Sequence, residues 1–455
     1  MRQYMHQHPL QAPFSPNRSS SAGHRSGVSG RTVIFVVLLR APMDGRDGER
    51  MRILATLVLL IATGLITPSR AAPDEEGYGK SQGYSPGTTT TWWRQPHLVG
   101  ALSRMDTLFD FHRVAPASTP RPLGRATQAP DIRYSFNNEQ RDLQRYLGTN
   151  PTTGLLILKD DRIVFEAYQY DRTERDRLTS FSMAKTITSM LMGIAVRDGA
   201  IRSIDDRAET YVPGLKGTAY GETPIRHLLT MSSGVAFSED YSGQDDITRL
   251  WVATLMKSGP GGPGAVSQFN TRARPPGEKF YYASAETQVL GLVLRAATRT
   301  PVADYLAAKL WQPMGAEAEA TWNIDASGQE ATYCCFNARL RDYGRLGLLL
   351  AHDGLRDGRE IIPRDWLLAA TTVNDSAPHL KPGTATRFYG YGYQTWLLPD
   401  ADRQFALLGV RGQTIFVHPR SKLVLVHTAV RRQSRDPGGA ETVALWRALV
   451  QTLGN

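Results

Sequence analysis

Residues 179–190 read TSFSMAKTITSM and set Ser182 three positions before Lys185. One helical turn brings such a pair together. A serine hydroxyl is a weak nucleophile until a base takes its proton. A lysine at its reference pKa of ~10.4 is protonated at neutral pH and cannot be that base. Burial among Met183, Ala184, Ile187 and Thr188 would disfavour the ammonium and release a neutral amine. A serine at a helix start also puts its own N–H at the positive end of the helix dipole, where an oxyanion can sit. Alone, S-x-x-K arises by chance in a chain of this length, and an ordinary surface helix also accounts for it.

Two further stretches carry chemistry-bearing residues. In PPGEKFYYASAETQVLGLVL, Tyr282 and Ser284 lie between a Pro-Gly turn and a helical pattern. A tyrosine so placed can pass a proton to a leaving group; packing of an aromatic ring is the plainer account. In LLGVRGQTIFVHP, Gly409 and Gly412 flank Val410 and Arg411 at the start of a strand pattern. Glycines there let the backbone approach a ligand and offer N–H groups; a simple turn or bulge needs them equally.

The elements that must hold these residues follow from periodicity. GLLILKDDRIVFEAYQY reads as a β-hairpin around the polar KDDR. Apolar positions 183, 184, 187, 190, 191, 194 and 195 predict a helix through Lys185. Residues 200–370 read as mostly helical segments and loops. FALLGVRGQTIFVHPRSKLVLVHTAV reads as two or three successive strands, and AETVALWRALVQTL as a closing amphipathic helix. Strands near both ends with helices between predict an α+β fold: one antiparallel sheet built from both ends, flanked by helices, with a mostly helical second lobe. The groove between sheet and lobe is where a site is expected.

Composition narrows the partners. The 455 residues are 41% hydrophobic and 21% charged, ordinary for a folded protein, with a formal charge of +10. Nine arginines against three acidic residues fall in residues 1–71, so the remainder is nearly balanced. No basic cluster interleaved with aromatics remains, and no nucleic-acid partner is expected. The histidines of the body are scattered without ligand spacing, so neither a metal nor a cofactor is expected. The two cysteines, Cys334 and Cys335, are adjacent and cannot staple a long loop; the expectation is a pair of small buried apolar residues, with a vicinal disulfide as the alternative.

Residues 1–50 read as a disordered leader, with translation expected to start at Met51 or Met43. Residues 51–71, MRILATLVLLIATGLITPSRA, have a basic residue, an apolar core and small residues before a cut after Ala71. The expectation is a signal peptide and an exported protein, periplasmic or secreted, the alternative being a membrane anchor through 53–66. Residues 72–91, rich in Gly, Ser and Thr, read as a flexible linker ahead of a domain spanning 92–455. That linker contains a G-x-S-x-G match at Gly83–Gly87, rejected because no strand pattern precedes it.

In this order and spacing, the three stretches resemble the serine hydrolases of the β-lactamase and penicillin-binding superfamily over residues 150–450. They are most similar to the branch of class C β-lactamase-like esterases and 6-aminohexanoate-dimer hydrolase. The resemblance implies Ser182 as acyl-accepting nucleophile, Lys185 as its base and Tyr282 as proton relay. It implies an oxyanion hole from the Ser182 and Val410 amides. It also implies substrate contacts at Ser284, Gly409, Arg411 and Trp396, and at the loop residues Glu239, Asp240 and Tyr241, whose carboxylates would hold a cationic group unless the loop is merely solvated. Ser284 replaces the asparagine usual in β-lactamases, and K-T-G is absent, which puts β-lactams in doubt. The implied substrate is a small ester or amide. A peptidoglycan-directed carboxypeptidase, a β-lactamase and a catalytically dead cell-wall binding module stay open as alternatives.

Overall fold

Alternation after Pro151 produces the expected hairpin: β1 (Thr152–Lys159) pairs antiparallel with β2 (Arg162–Tyr168) around Asp160 and Asp161, which both take positive φ. The computed structural model describes residues 72–128, 130–256, 258–435 and 439–454. The expected leader, signal peptide and anchor all fall outside the described residues. Helix α1 (Ala184–Arg197) follows a 3₁₀ turn at Phe181–Met183. It stops where Gly199, at φ +75°, takes the left-handed conformation that closes many helices. Helix α2 (Ser284–Thr298) and helix α3 (Leu340–Ala351) complete the expected central helices. Three strands come next, β3 (Phe405–Gly409), β4 (Gln413–His418) and β5 (Leu423–Ala429), then helix α4 (Gly439–Leu453).

β5 pairs with β1, so the two ends of the chain do share one sheet. It has eight strands, ordered Gly390–Tyr391, Trp396–Leu397, β3, β4, β5, β1, β2 and Gly124–Arg125, antiparallel except for the last pair. Period 2 sends alternate side chains into two separate cores. Leu156 and Leu158 of β1 face one with Val424 and Val426 of β5; Leu155 and Ile157 face the other with Leu423 and Leu425. Burying each such side chain contributes roughly 1.5–3 kcal/mol before chain entropy is counted. α3 covers the first face, with Gly344 and Gly347 letting it lie close against Leu156 and Val424. α4 covers the second, where Trp446 stacks on Phe416 at 5.3 Å.

The mostly helical middle also contributes to a second sheet. Phe111–Val114, Ala320–Asn323, Phe336–Arg339 and Arg177–Thr179 form it, four-stranded in that order. Its strands are three or four residues long, too short for alternation to show. One expectation about chain organisation needs correction: residues 72–91 are not a free linker. Tyr78 and Tyr84 are 3% and 1% exposed, and both rings pack edge-on against Tyr170, whose hydroxyl donates to the Pro73 carbonyl at 2.7 Å. Glycine and threonine set the composition of this segment, but two tyrosines set its energetics. The G-x-S-x-G match sits in its turns, preceded only by a 3₁₀ turn at Lys80–Gln82.

Candidate active site

Ser182 sits in the bend between strand Arg177–Thr179 and α1. The bend is held from both sides. The Ser180 amide donates to the Phe336 carbonyl at 2.7 Å, and Ser180 Oγ accepts from the Phe336 amide at 3.2 Å. Phe181 takes φ +40°, a conformation costly for a residue with a Cβ, so surrounding contacts must enforce it. On the other side β3 ends at Gly409, where a Cβ would lie 2.5 Å from the Ser180 carbonyl oxygen. Only glycine lets the strand come this close to the serine turn.

Lys185 Nζ donates to Ser182 Oγ at 2.9 Å and to the Tyr333 carbonyl at 2.9 Å. The side chain is 1% exposed, in a helix buried on nearly every face. Loss of water pushes its pKa down to about 8, against a weaker opposing pull from the Glu239 carboxylate. Nζ lies 5.1 Å from the Tyr282 ring centre and 5.6 Å from that of Tyr333. Burial, reinforced by Glu239 and only partly offset by the nearby Ser182, raises the Tyr282 pKa so that the phenol keeps its proton. Trp396 stacks on the Tyr282 ring at 5.3 Å and Tyr391 meets both rings edge-on, which fixes the phenol's direction.

Ser182, Ser284, Glu239, Tyr241, Val410 and Arg411 line one cavity of about 490 Å³. Among the described residues, neither the Ser182 nor the Val410 amide makes a backbone hydrogen bond, which leaves both donors available at the cavity wall. Glu239 is inside but fully engaged, accepting from the Ser284 amide and hydroxyl at 2.8 and 2.9 Å and from the Tyr241 hydroxyl at 2.7 Å.

Several expected substrate contacts are placed otherwise. Asp240 is exposed, and its side chain accepts from the Ser242 amide in a local turn, because an acid beside an engaged one gains more from water. Arg411 reaches the cavity rim, yet its guanidinium donates to the Arg431 and Arg432 carbonyls at 2.9 and 2.7 Å, and burial lowers its pKa to about 10. Gly409 lies against the Ser180 carbonyl and is not part of this cavity's lining. Trp396 stands behind Tyr282 instead of in the cavity wall.

Other site residues had no signal in the motifs. Tyr333, whose carbonyl holds Lys185, precedes Cys334 and Cys335, which are joined by a disulfide instead of being free apolar residues. The same loop is tied to α1 again where Thr188 Oγ1 donates to the Thr332 carbonyl at 3.0 Å. Trp92 and Trp93, just after the supposed linker, and Trp251, on helix Asp246–Leu255, also line the cavity. The Trp-Trp pair after a threonine run was the one available hint.

The arrangement can remove a proton from a serine hydroxyl, supply one from a phenol, and receive a negative oxygen between two amides. No group of three or more potential ligands placed to hold a metal occurs among the described residues. The family model described as Beta-lactamase matches residues 141–448. A 6-aminohexanoate-dimer hydrolase from Paenarthrobacter ureafaciens is 25% identical over 352 residues, covering 74% of this chain and 87% of that protein. The solved structure called "Putative 6-aminohexanoate-dimer hydrolase from Bacillus anthracis" superposes with a TM-score of 0.73 at 21% identity, over 80% of this chain and 96% of its own. A structure described as a putative beta-lactamase from Bacteroides dorei gives 0.51 at 19% identity, over 68% and 95%.

Proposed function

The chain belongs to the beta-lactamase family of serine hydrolases, and from that premise we propose that it cleaves small linear esters or amides through an acyl-enzyme on Ser182. The observation that carries this reading is the 2.9 Å approach of Lys185 Nζ to Ser182 Oγ, made by a lysine whose burial frees its lone pair near neutral pH. In its neutral form Lys185 takes the hydroxyl proton as Oγ attacks the scissile carbonyl carbon. The oxygen turns negative between the Ser182 and Val410 amides, whose preorganised dipoles need no reorganisation as charge develops. Tyr282 delivers a proton to the departing oxygen or nitrogen, recovering one through Ser182 and Lys185. Water then follows the reverse path to release the acid.

The linear substrate is favoured by what surrounds this machinery. The relative's name, 6-aminohexanoate-dimer hydrolase, points to an amide. Gripping a β-lactam carboxylate calls for a cation aimed at it, and Arg411 Nη1 is turned to the Arg431 and Arg432 carbonyls. Ser284, likewise, is turned to Glu239. The apolar run and small residues of 51–71 support export as part of the same proposal.

The test is Ser182→Ala against wild type, with a fluorophosphonate probe and a p-nitrophenyl butyrate assay. The variant should keep its fold, lose labelling and lose hydrolysis. Wild-type kcat/KM should be higher for this ester than for a chromogenic cephalosporin. Undiminished turnover by the variant would require a different nucleophile; a faster cephalosporin reaction would make the protein a β-lactamase.

A further inference from the structure

The peptide that holds Lys185 belongs to a loop with a covalent restraint of its own. The Tyr333 carbonyl accepts from Lys185 Nζ at 2.9 Å. The N–H of that same peptide unit is the Cys334 amide, which donates to the Ala331 carbonyl at 3.0 Å. Cys334 is joined to Cys335 by a disulfide, so a small ring closes directly after the Tyr333 peptide. Backbone rotation inside such a ring is restricted. Cys335 is held at φ +63°, a conformation costly for a residue with a Cβ.

Both flanks of the loop are fastened elsewhere. Thr332 donates to α2, its amide to Gln288 Oε1 and its hydroxyl to the Thr287 carbonyl, each at 3.0 Å. Beyond the ring, the Cys335 carbonyl accepts from the Asn323 amide at 3.1 Å. The Tyr333 carbonyl lies between these anchors, and the disulfide adds the covalent restraint beside it. Cys335 is fully buried, whereas Cys334, 3% exposed, is part of the wall of the cavity of about 490 Å³ that Ser182 also lines. These are the two cysteines of the whole chain, so a thiol reagent has one target.

Resting on the Ser182 reading, we infer that the Cys334–Cys335 disulfide is a positioning element for Lys185, and that it is a modification site at which a small dithiol, entering from the cavity, slows acyl transfer. A thiolate of the dithiol attacks the Cys334 sulfur, and the Cys335 sulfur leaves as a thiolate that takes up a proton. The second thiol of the reagent then displaces the Cys334 sulfur, which also gains a proton. The protein is reduced to two thiols by two electrons, and the reagent is oxidised to its cyclic disulfide. With the ring open, Cys335 is released from its costly backbone region and the Tyr333 peptide can turn away from Nζ. Lys185 is packed against the Tyr333 and Tyr282 rings, with the Glu239 carboxylate farther off, and loss of water is the main cause of its lowered pKa. A loosened loop readmits water, which favours the ammonium and leaves less of the working amine at neutral pH.

The test reduces the wild-type protein with dithiothreitol and desalts it without air, because free thiols themselves cleave p-nitrophenyl esters. Mass after N-ethylmaleimide treatment should show both cysteines alkylated. At pH 7, kcat/KM for p-nitrophenyl butyrate should fall ~10-fold or more, the scale of a displaced catalytic group. Its rise with pH should move to higher pH, and reoxidation should restore both. Cys334→Ser combined with Cys335→Ser should show the reduced profile and ignore the reductant. A pair that stays bonded in excess dithiothreitol, or a fully reduced enzyme of undiminished rate, overturns this inference and leaves Ser182 as the nucleophile. A slower enzyme whose pH profile has not moved rules out action through Lys185 and makes the disulfide a structural staple. Hydrolysis that survives Ser182→Ala removes the nucleophile and the inference together.

Discussion

Lys185, in α1 behind Ser182, and His427, in β5, are bases buried to the same degree, 1% and 0% exposed. Each has lost water, and each has a pKa displaced downward by that loss: Lys185 to about 8, His427 to about 3, the latter aided by the nearby Arg431 charge. Their surroundings part company after that. His427 Nε2 is held by Thr152 Oγ1 at 3.0 Å and lies 3.4 Å from the Tyr146 hydroxyl, with the Tyr146 ring edge-on to the imidazole. Those partners close the space under α4. Lys185 instead meets a serine whose oxygen lies in the wall of an open cavity. Burial perturbs both groups, but in the function proposed above only the one that shares a proton with a reachable atom has chemistry to do. On that reading histidine, ordinarily the better base near pH 7, is the structural one.

Substitution at the reactive end separates the two most. Lys185→Ala and Tyr282→Phe should each lower kcat by ~10²–10⁴, the range for positioned acid–base groups. The double variant should lose little beyond the worse single one, because the groups act as a unit. Steady-state kinetics on the butyrate ester reads both effects; additive losses would mean that the two do not share one proton path.

Acidity gives the next effect. With the neutral amine as the working form proposed above, kcat/KM should climb about tenfold per pH unit below about 8 and level above it. The same shift has a stability sign. The folded-state pKa of Lys185 lies below the unfolded value, so the unfolded chain binds more protons between about 8 and 10.5, and stability rises across that window. At pH 7 the protonated lysine costs on the order of 3 kcal/mol, from 1.36 kcal/mol per unit. Lys185→Met should therefore be inactive yet more stable than wild type in urea at pH 7. A destabilised variant would show that the two hydrogen bonds of Nζ outweigh its desolvation.

His427→Gln is the smallest expected change in rate, within about threefold, with a stability loss of roughly 1–3 kcal/mol from the buried hydrogen bond. Its pH signature is more telling. The folded-state pKa of His427 is depressed, so wild type should lose stability as pH falls from about 6.5 toward 3, and the glutamine variant should lose less over that window. Urea titrations at pH 4 and 7 decide it; a large drop in kcat would place His427 in the machinery after all.

Residue type and spacing within short segments settled a good deal. Lys185 lies on the expected helix with Ser182 in the turn that opens it, the hairpin and the three late strands form where alternation puts them, and both chain ends enter one sheet. These are local properties: a period of 3.6 or 2 selects the element, and apolar faces require that the elements meet. What the tertiary structure alone decided depends on partners distant in sequence. The Tyr333 carbonyl reaches Lys185 across 148 positions, and a backbone carbonyl leaves no mark in a sequence. Tyr78 and Tyr84 pack on Tyr170, which turns a linker-like composition into folded chain and carries Trp92 and Trp93 to the cavity. Arg411 and Asp240 have the charge to bind a substrate, but folding turns Arg411 Nη1 to two carbonyls and Asp240 Oδ1 to a local turn. A sequence states which groups a chain owns; which of them remain unspent at a cavity is settled when every buried polar group has found its partner.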